Sequence, residues 1–188
     1  TPWRTRVSLL TTRDFQSFDY RGVILKNQES KDAVLFPRQI QGQYFLLHRM
    51  VPDIYLARSK NPGSFEGGMR LLGPTEKGWE NLKVGAACPP LEVEPGWLLL
   101  YHGVSKGKTY SVGAALLDKN NPAFVIKRTQ EPILTPETGW EKKGAVSNVI
   151  FPTGLLTHGD ELWLYYGAAD YRIGLVKLRL NDLINTLT

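Results

Sequence analysis

A chain of 188 residues is long enough for one domain with a sizeable core, and 42% hydrophobic with 22% charged residues is an ordinary globular composition. No apolar run approaches the roughly 18 residues that span a bilayer. One cysteine, Cys88, excludes an intrachain disulfide framework and a cysteine metal cluster, and it fits a reducing, cytoplasmic location. The net charge of +5 is scattered rather than gathered into a basic run, so neither a membrane nor a nucleic acid is expected as a partner.

In chain order, Val7 to Leu10 predicts a strand, and Thr12-Arg13-Asp14-Phe15-Gln16-Ser17-Phe18 matches the later Ser59-Lys60-Asn61-Pro62-Gly63-Ser64-Phe65. Val34-Leu35-Phe36-Pro37 reads as a strand ending in proline. Strands are predicted next at Tyr44–Arg49, Ile54–Ala57 and Phe65–Leu72, with Gln41-Gly42 as a turn. The same sequence of events then returns. Leu71-Leu72-Gly73-Pro74-Thr75-Glu76-Lys77-Gly78-Trp79-Glu80 is echoed by Ile133-Leu134-Thr135-Pro136-Glu137-Thr138-Gly139-Trp140-Glu141. Each copy leads into a strand ending in proline, Ala87-Cys88-Pro89-Pro90 and Val149-Ile150-Phe151-Pro152. Second strands follow at Trp97–His102 and Leu162–Tyr166, and third strands at Tyr110–Gly113 and Arg172–Leu175. A fourth passes through Phe124 to Leu134, and Leu178–Leu187 predicts a short helix with Asn181 as its N-cap.

Pro37, Pro90 and Pro152 recur at spacings of about 53 and 62 residues, and about four short strands per 40 to 60 residues is the signature of a propeller blade. The expected fold is an all-β propeller with about three blades in this chain. Residues 1–25 are read as the end of a truncated blade, 26–73, 74–135 and 136–180 as blades, and 181–188 as a tail. A β-sandwich is the alternative, but it leaves the repeated Gly-Trp-Glu unexplained. Because the repeat register puts residue 1 inside a blade, either further blades belong upstream or copies pair into a homo-oligomer.

The same register places Arg49, His102 and Tyr166 at equivalent strand ends, counting twelve residues on from Pro37 and Pro90 and fourteen from Pro152. Three different polar residues at one repeated position suggest a composite site. Arg49, Lys83 and His102 together form a cationic cluster suited to a phosphate dianion, Arg offering a planar fork, Lys a point charge and imidazolium a further donor. Taken alone, Lys83 is an ordinary solvated lysine. Asp170 either binds sugar hydroxyls or caps a turn. Trp97, Trp163, Tyr101 and Tyr165 serve either as core or as sugar platforms. His48, next to Arg49 on a strand, faces the opposite way. The three histidines lie too far apart for a zinc motif, and no nucleophile elbow or P-loop is present.

Lys31-Asp32-Ala33-Val34-Leu35-Phe36-Pro37, Tyr44 through Arg49, Gly96 through Val104, Gly113 through Asp118, Asn148 through Gly154 and Tyr165 through Asp170 resemble, in order, the motifs of glycoside hydrolase family 130. The resemblance covers the whole chain and implies a five-bladed propeller. It implies an inverting β-mannoside phosphorylase, which needs no cofactor and takes a β-mannoside oligosaccharide and inorganic phosphate to α-mannose 1-phosphate. It implies phosphate-binding roles for Arg49, Lys83 and His102 and a sugar-binding role for Asp170, with Tyr166 beside it. Hydrolases of the same family carry carboxylates in place of the cations. The family's general acid lies in an Asp-Pro-Arg-like motif that these residues lack, so the acid is expected upstream of residue 1. The chain by itself is then expected to be inactive unless a carboxylate such as Asp32 or Asp170 substitutes. A non-catalytic carbohydrate- or phosphate-binding module is the other reading.

Overall fold

A computed structural model describes residues 5–188. Its strands form antiparallel sheets that follow one another along the chain. The first is the two-stranded pair β1 (Ser8–Thr11) and β2 (Asp19–Val23). The second has the order β3 (Lys31–Leu35), β4 (Tyr44–Met50), β5 (Asp53–Ser59), β6 (Met69–Leu72). The third contains β7 (Lys83–Ala86), β8 (Leu91–Val93), β9 (Gly96–Val104), β10 (Tyr110–Asp118) and β11 (Val125–Arg128). The fourth has the order β12 (Ile150–His158), β13 (Glu161–Ala168), β14 (Arg172–Arg179). Sequential up-and-down sheets of this kind are the blades of a β-propeller, about three of them here, as the repeats predict.

The core lies between sheets. β9 explains how, because its run Trp97-Leu98-Leu99-Leu100-Tyr101 is buried throughout. Alternate side chains of a strand point to opposite faces. Trp97, Leu99 and Tyr101 pack with Phe36, Leu47, Ile54 and Leu56 of the preceding sheet. Leu98 and Leu100 pack with Ile150, Leu162, Leu164 and Tyr166 of the following one. A blade covered on both faces needs an unbroken apolar strand. A third cluster, including Ile24, Leu25, Leu46, Ala57 and Phe65, joins the β1–β2 pair to the second sheet.

Several local expectations are corrected. The strand expected to end at Pro90 is split into β7 and β8, both paired to β9, because Pro89 and Pro90 have no N–H for the ladder. Pro152 lies inside β12, an edge strand, beside a bulge between Pro152 and Gly154. The expected fourth strands are shorter than Phe65–Leu72 and Phe124–Leu134, being confined to β6 and β11. Gly139–Lys142 is a helical turn, α1, closed by a capping box between Thr138 and Glu141. The terminal helix α2 runs Leu180–Asn185, so Asn181 is inside it rather than its N-cap. Asp160, from the β12–β13 turn, caps it instead. Its carbonyl accepts from Leu180 N–H at 2.8 Å and its Oδ1 from Asn181 N–H at 3.2 Å.

Candidate functional site

Arg49 near the end of β4 and His102 near the end of β9 meet across the second and third sheets. Arg49 Nη1 lies 3.1 Å from His102 Nε2, and the two side chains are 3% and 0% exposed. Asp32, at the start of β3, completes the cluster, with Oδ2 2.7 Å from Arg49 Nη1 and 3.6 Å from His102 Nε2. Lys31 pairs with Arg49 in the β3–β4 register, and a register shift follows before Val34. That irregularity places Asp32 at φ 49°, in the left-handed region an aspartate tolerates. Gly85 of β7 supports the cluster by close approach. A Cβ there would stand 2.6 Å from His102 Nε2 and 2.7 Å from Asp32 Oδ2, so only glycine fits.

The electrostatics correct the expectation of an imidazolium. Arginine cannot accept a hydrogen bond, so His102 Nε2 accepts from Arg49 and the ring is neutral with its proton on Nδ1. Burial, reinforced by Arg49, Lys83 and Lys31, pulls the His102 pKa down to about 3. Burial raises Asp32 above the ordinary carboxylate range, with Arg49, Lys31 and Lys83 acting against it. The centre therefore sets Arg49, with Lys31 and Lys83 nearby, around a neutral imidazole and a buried carboxylate. Asp32 Oδ2, Arg49 Nε and His102 Nδ1 are buried and have no hydrogen-bond partner of good geometry among the described residues.

Lys83 opens β7 with Nζ 5.3 Å from the centroid of the Tyr110 ring. It lines a cavity of about 420 Å³ with Lys108, Tyr110 and Asn148. His102 lies against the same edge, its ring 4.5 Å from that of Phe151 and 6.1 Å from that of Tyr110. Asp170 is exposed in the β13–β14 turn at φ 50°. The equivalence assigned to Tyr166 does not hold. Pro152 pairs with Tyr166 and Phe151 with Gly167. Tyr166 stacks on Trp140, donates its hydroxyl to Glu141 Oε1 at 2.8 Å, and packs over Gly174. Tyr101 packs likewise on Trp79 and over Gly113, so Tyr166 repeats Tyr101, and Gly167 takes the place of His102. The side chain Tyr166 offers is structural. Glu141 Oε2 also accepts from the Glu137 and Thr138 N–H groups, at 2.8 Å each.

Trp97 and Tyr101 are core. His48 faces away from Arg49, between Ser30 Oγ and the Gly67 carbonyl, each 3.0 Å distant. Asp32 is the site residue that strand counting did not single out. Its one legible signal is its place at the start of the strand opposite Arg49.

Successive antiparallel blades make this a β-propeller, with a cation–carboxylate cluster at the strand ends. The chain belongs to glycoside hydrolase family 130, whose model, described as β-1,4-mannooligosaccharide phosphorylase, matches residues 3–188. It is 40% identical to a 1,2-β-oligomannan phosphorylase of Thermoanaerobacter sp. (strain X514), the match covering 95% of this chain and 60% of the relative. It is 31% identical to a β-1,4-mannooligosaccharide phosphorylase of Ruminococcus albus, covering 97% and 58%. A solved β-1,2-mannobiose phosphorylase from Listeria innocua, in complex with β-1,2-mannobiose, superposes at a TM-score of 0.95 with 37% identity, covering 100% of this chain and 54% of that one. The chain thus spans a little over half the length of these relatives.

Proposed function

We propose that residues 1–188 form the phosphate-binding part, with one sugar-facing edge, of an inverting β-mannoside phosphorylase acting on β-1,2-linked mannosides. The observation that carries this reading is the Arg49–His102–Asp32 cluster, buried at the strand ends with Lys83 beside it. The β-1,2 linkage is favoured because the relatives at 40% and 37% identity are named for it, while the one named for β-1,4 is at 31%. In the reaction a phosphate oxygen attacks the anomeric carbon opposite the glycosidic oxygen. The C1–O bond breaks, its electrons stay on the leaving oxygen, and that oxygen takes a proton as α-mannose 1-phosphate forms. Arg49 and Lys83 hold the phosphate and offset charge as it develops. Neutral His102 fixes the Arg49 fork. Asp170, in the turn two residues beyond the end of β13, faces the sugar hydroxyls. We place the proton donor outside residues 1–188.

The test is the phosphate dependence of the full-length protein. Losing a charge-assisted hydrogen bond costs roughly 1.5–3 kcal/mol. Lys83→Ala should therefore raise the phosphate needed for half-maximal rate about tenfold or more while the mannobiose requirement stays within about threefold. An unchanged phosphate requirement refutes the assignment. Asp32 favours one second reading, a hydrolase in which a carboxylate activates water, and phosphate-independent release of mannose would mark it.

A further inference from the structure

We infer that Asp32 makes the Arg49–His102–Asp32 cluster selective for a protonated oxyanion. Its carboxylate accepts the P–O–H hydrogen of hydrogen phosphate while Arg49 and Lys83 hold the bare oxygens, so fully ionised oxyanions such as sulfate are rejected. The inference rests on the phosphate-binding reading and adds the basis of discrimination. A site for any anion would need only donors, and a buried carboxylate inside it would weaken binding. Here the carboxylate is 13% exposed, its Oδ2 is 2.7 Å from the Arg49 guanidinium, and it has no hydrogen bond of good geometry. Arg49 Nε, in the same cluster, is a buried donor without an acceptor. A carboxylate oxygen that is ion-paired but lacks a well-aligned hydrogen bond, beside the unpaired Arg49 Nε donor, suits a ligand that presents both a donor and an acceptor.

Apart from Arg49 Nη1, ion-paired to it at 2.7 Å, the neighbouring side chains offer Asp32 no donor. His102 Nε2 accepts from Arg49 and points no proton at it. Lys31 on β3 and Lys83 on β7 contribute positive field, and Gly85 lets the Asp32 and His102 side chains pack close against its backbone. Phosphate carries at least one proton across neutral pH, whereas sulfate carries none. Burial also makes Asp32 a better proton acceptor than an exposed carboxylate, which favours sharing the ligand's hydrogen.

The experiment is calorimetric titration of the full-length protein with sodium phosphate and sodium sulfate, at pH 8 and constant ionic strength. The wild type should bind sulfate at least about 100-fold more weakly than phosphate. Asp32→Asn, whose amide can donate to a bare oxygen, should narrow that gap to within about tenfold. Asp32→Ala provides the same comparison should the amide variant misfold, with circular dichroism checking both. Sulfate binding within about threefold of phosphate in the wild type overturns the inference while leaving the phosphate reading intact. An unchanged 100-fold gap in both variants overturns it too. If the wild type binds neither anion, the phosphate reading fails and carries the inference with it.

Discussion

The cluster's protonation has a consequence for stability that a single residue controls. His102 has a folded pKa near 3, against about 6.5 when unfolded. Below pH 6.5 the unfolded chain takes up a proton that the folded state refuses, so stability falls as pH drops from 6.5 towards 3. Asp32 has the opposite sign. Its raised pKa lets the folded state bind a proton more readily than the unfolded chain, a contribution present in acid and lost as pH rises through its folded value. Between pH 7 and 5 the His102 effect should lower the urea midpoint, by a stability change on the order of 1–2 kcal/mol, and His102→Gln should flatten the dependence. A wild-type midpoint that is constant from pH 7 to 5 contradicts the buried neutral imidazole. Gly85→Ala should disturb this centre, because its Cβ would sit 2.4 Å from His102 Cε1. At another residue, burial raises the Cys88 thiol to about 12. A thiol reagent at pH 8 should label it only after denaturation, and rapid native labelling would show that it is not enclosed.

At the scale of elements, the repeated Gly-Trp-Glu has a clear mechanical role in its second copy. Glu141 closes the capping box of α1 and takes the Tyr166 hydroxyl, tying the approach to β12 onto β13. Glu141→Gln keeps the shape but weakens charge-assisted acceptors, and Glu141→Ala removes them. The alanine variant should lose about 2 kcal/mol or more, with the glutamine variant intermediate. Equal stability of all three by urea titration would argue against the tie. The blades and their inner strands were legible because Pro37, Pro90, Pro152 and Trp-Glu recur where the chain re-enters each sheet. Tyr166 was placed on the wrong face because the bulge at Thr153 breaks the count from Pro152. A slip of one residue turns a side chain to the other face. Asp160 as the cap of α2 was not legible, since it comes from a turn twenty residues earlier that only the fold brings near. Asp32 was legible as a candidate carboxylate, but its pairing with Arg49 and His102 was not, because those residues lie on other strands.

For the whole molecule, burial is concentrated between neighbouring sheets, and the outer surfaces carry apolar residues. Phe15, Phe18 and Tyr20 are exposed around the β1–β2 pair, and Tyr171, Ile173 and Leu175 around β14. Patches of this kind at the first and last sheets should make residues 1–188, expressed alone, associate at micromolar concentration, as read by light scattering. A stable monomer would contradict that. The most direct test of the proposed phosphorolysis follows the products of β-1,2-mannobiose with the full-length protein, by phosphorus and proton resonance, with and without phosphate. The account expects α-mannose 1-phosphate and mannose in equal amounts, and no turnover when phosphate is omitted. Mannose released at the same rate without phosphate, and no sugar phosphate, would contradict it.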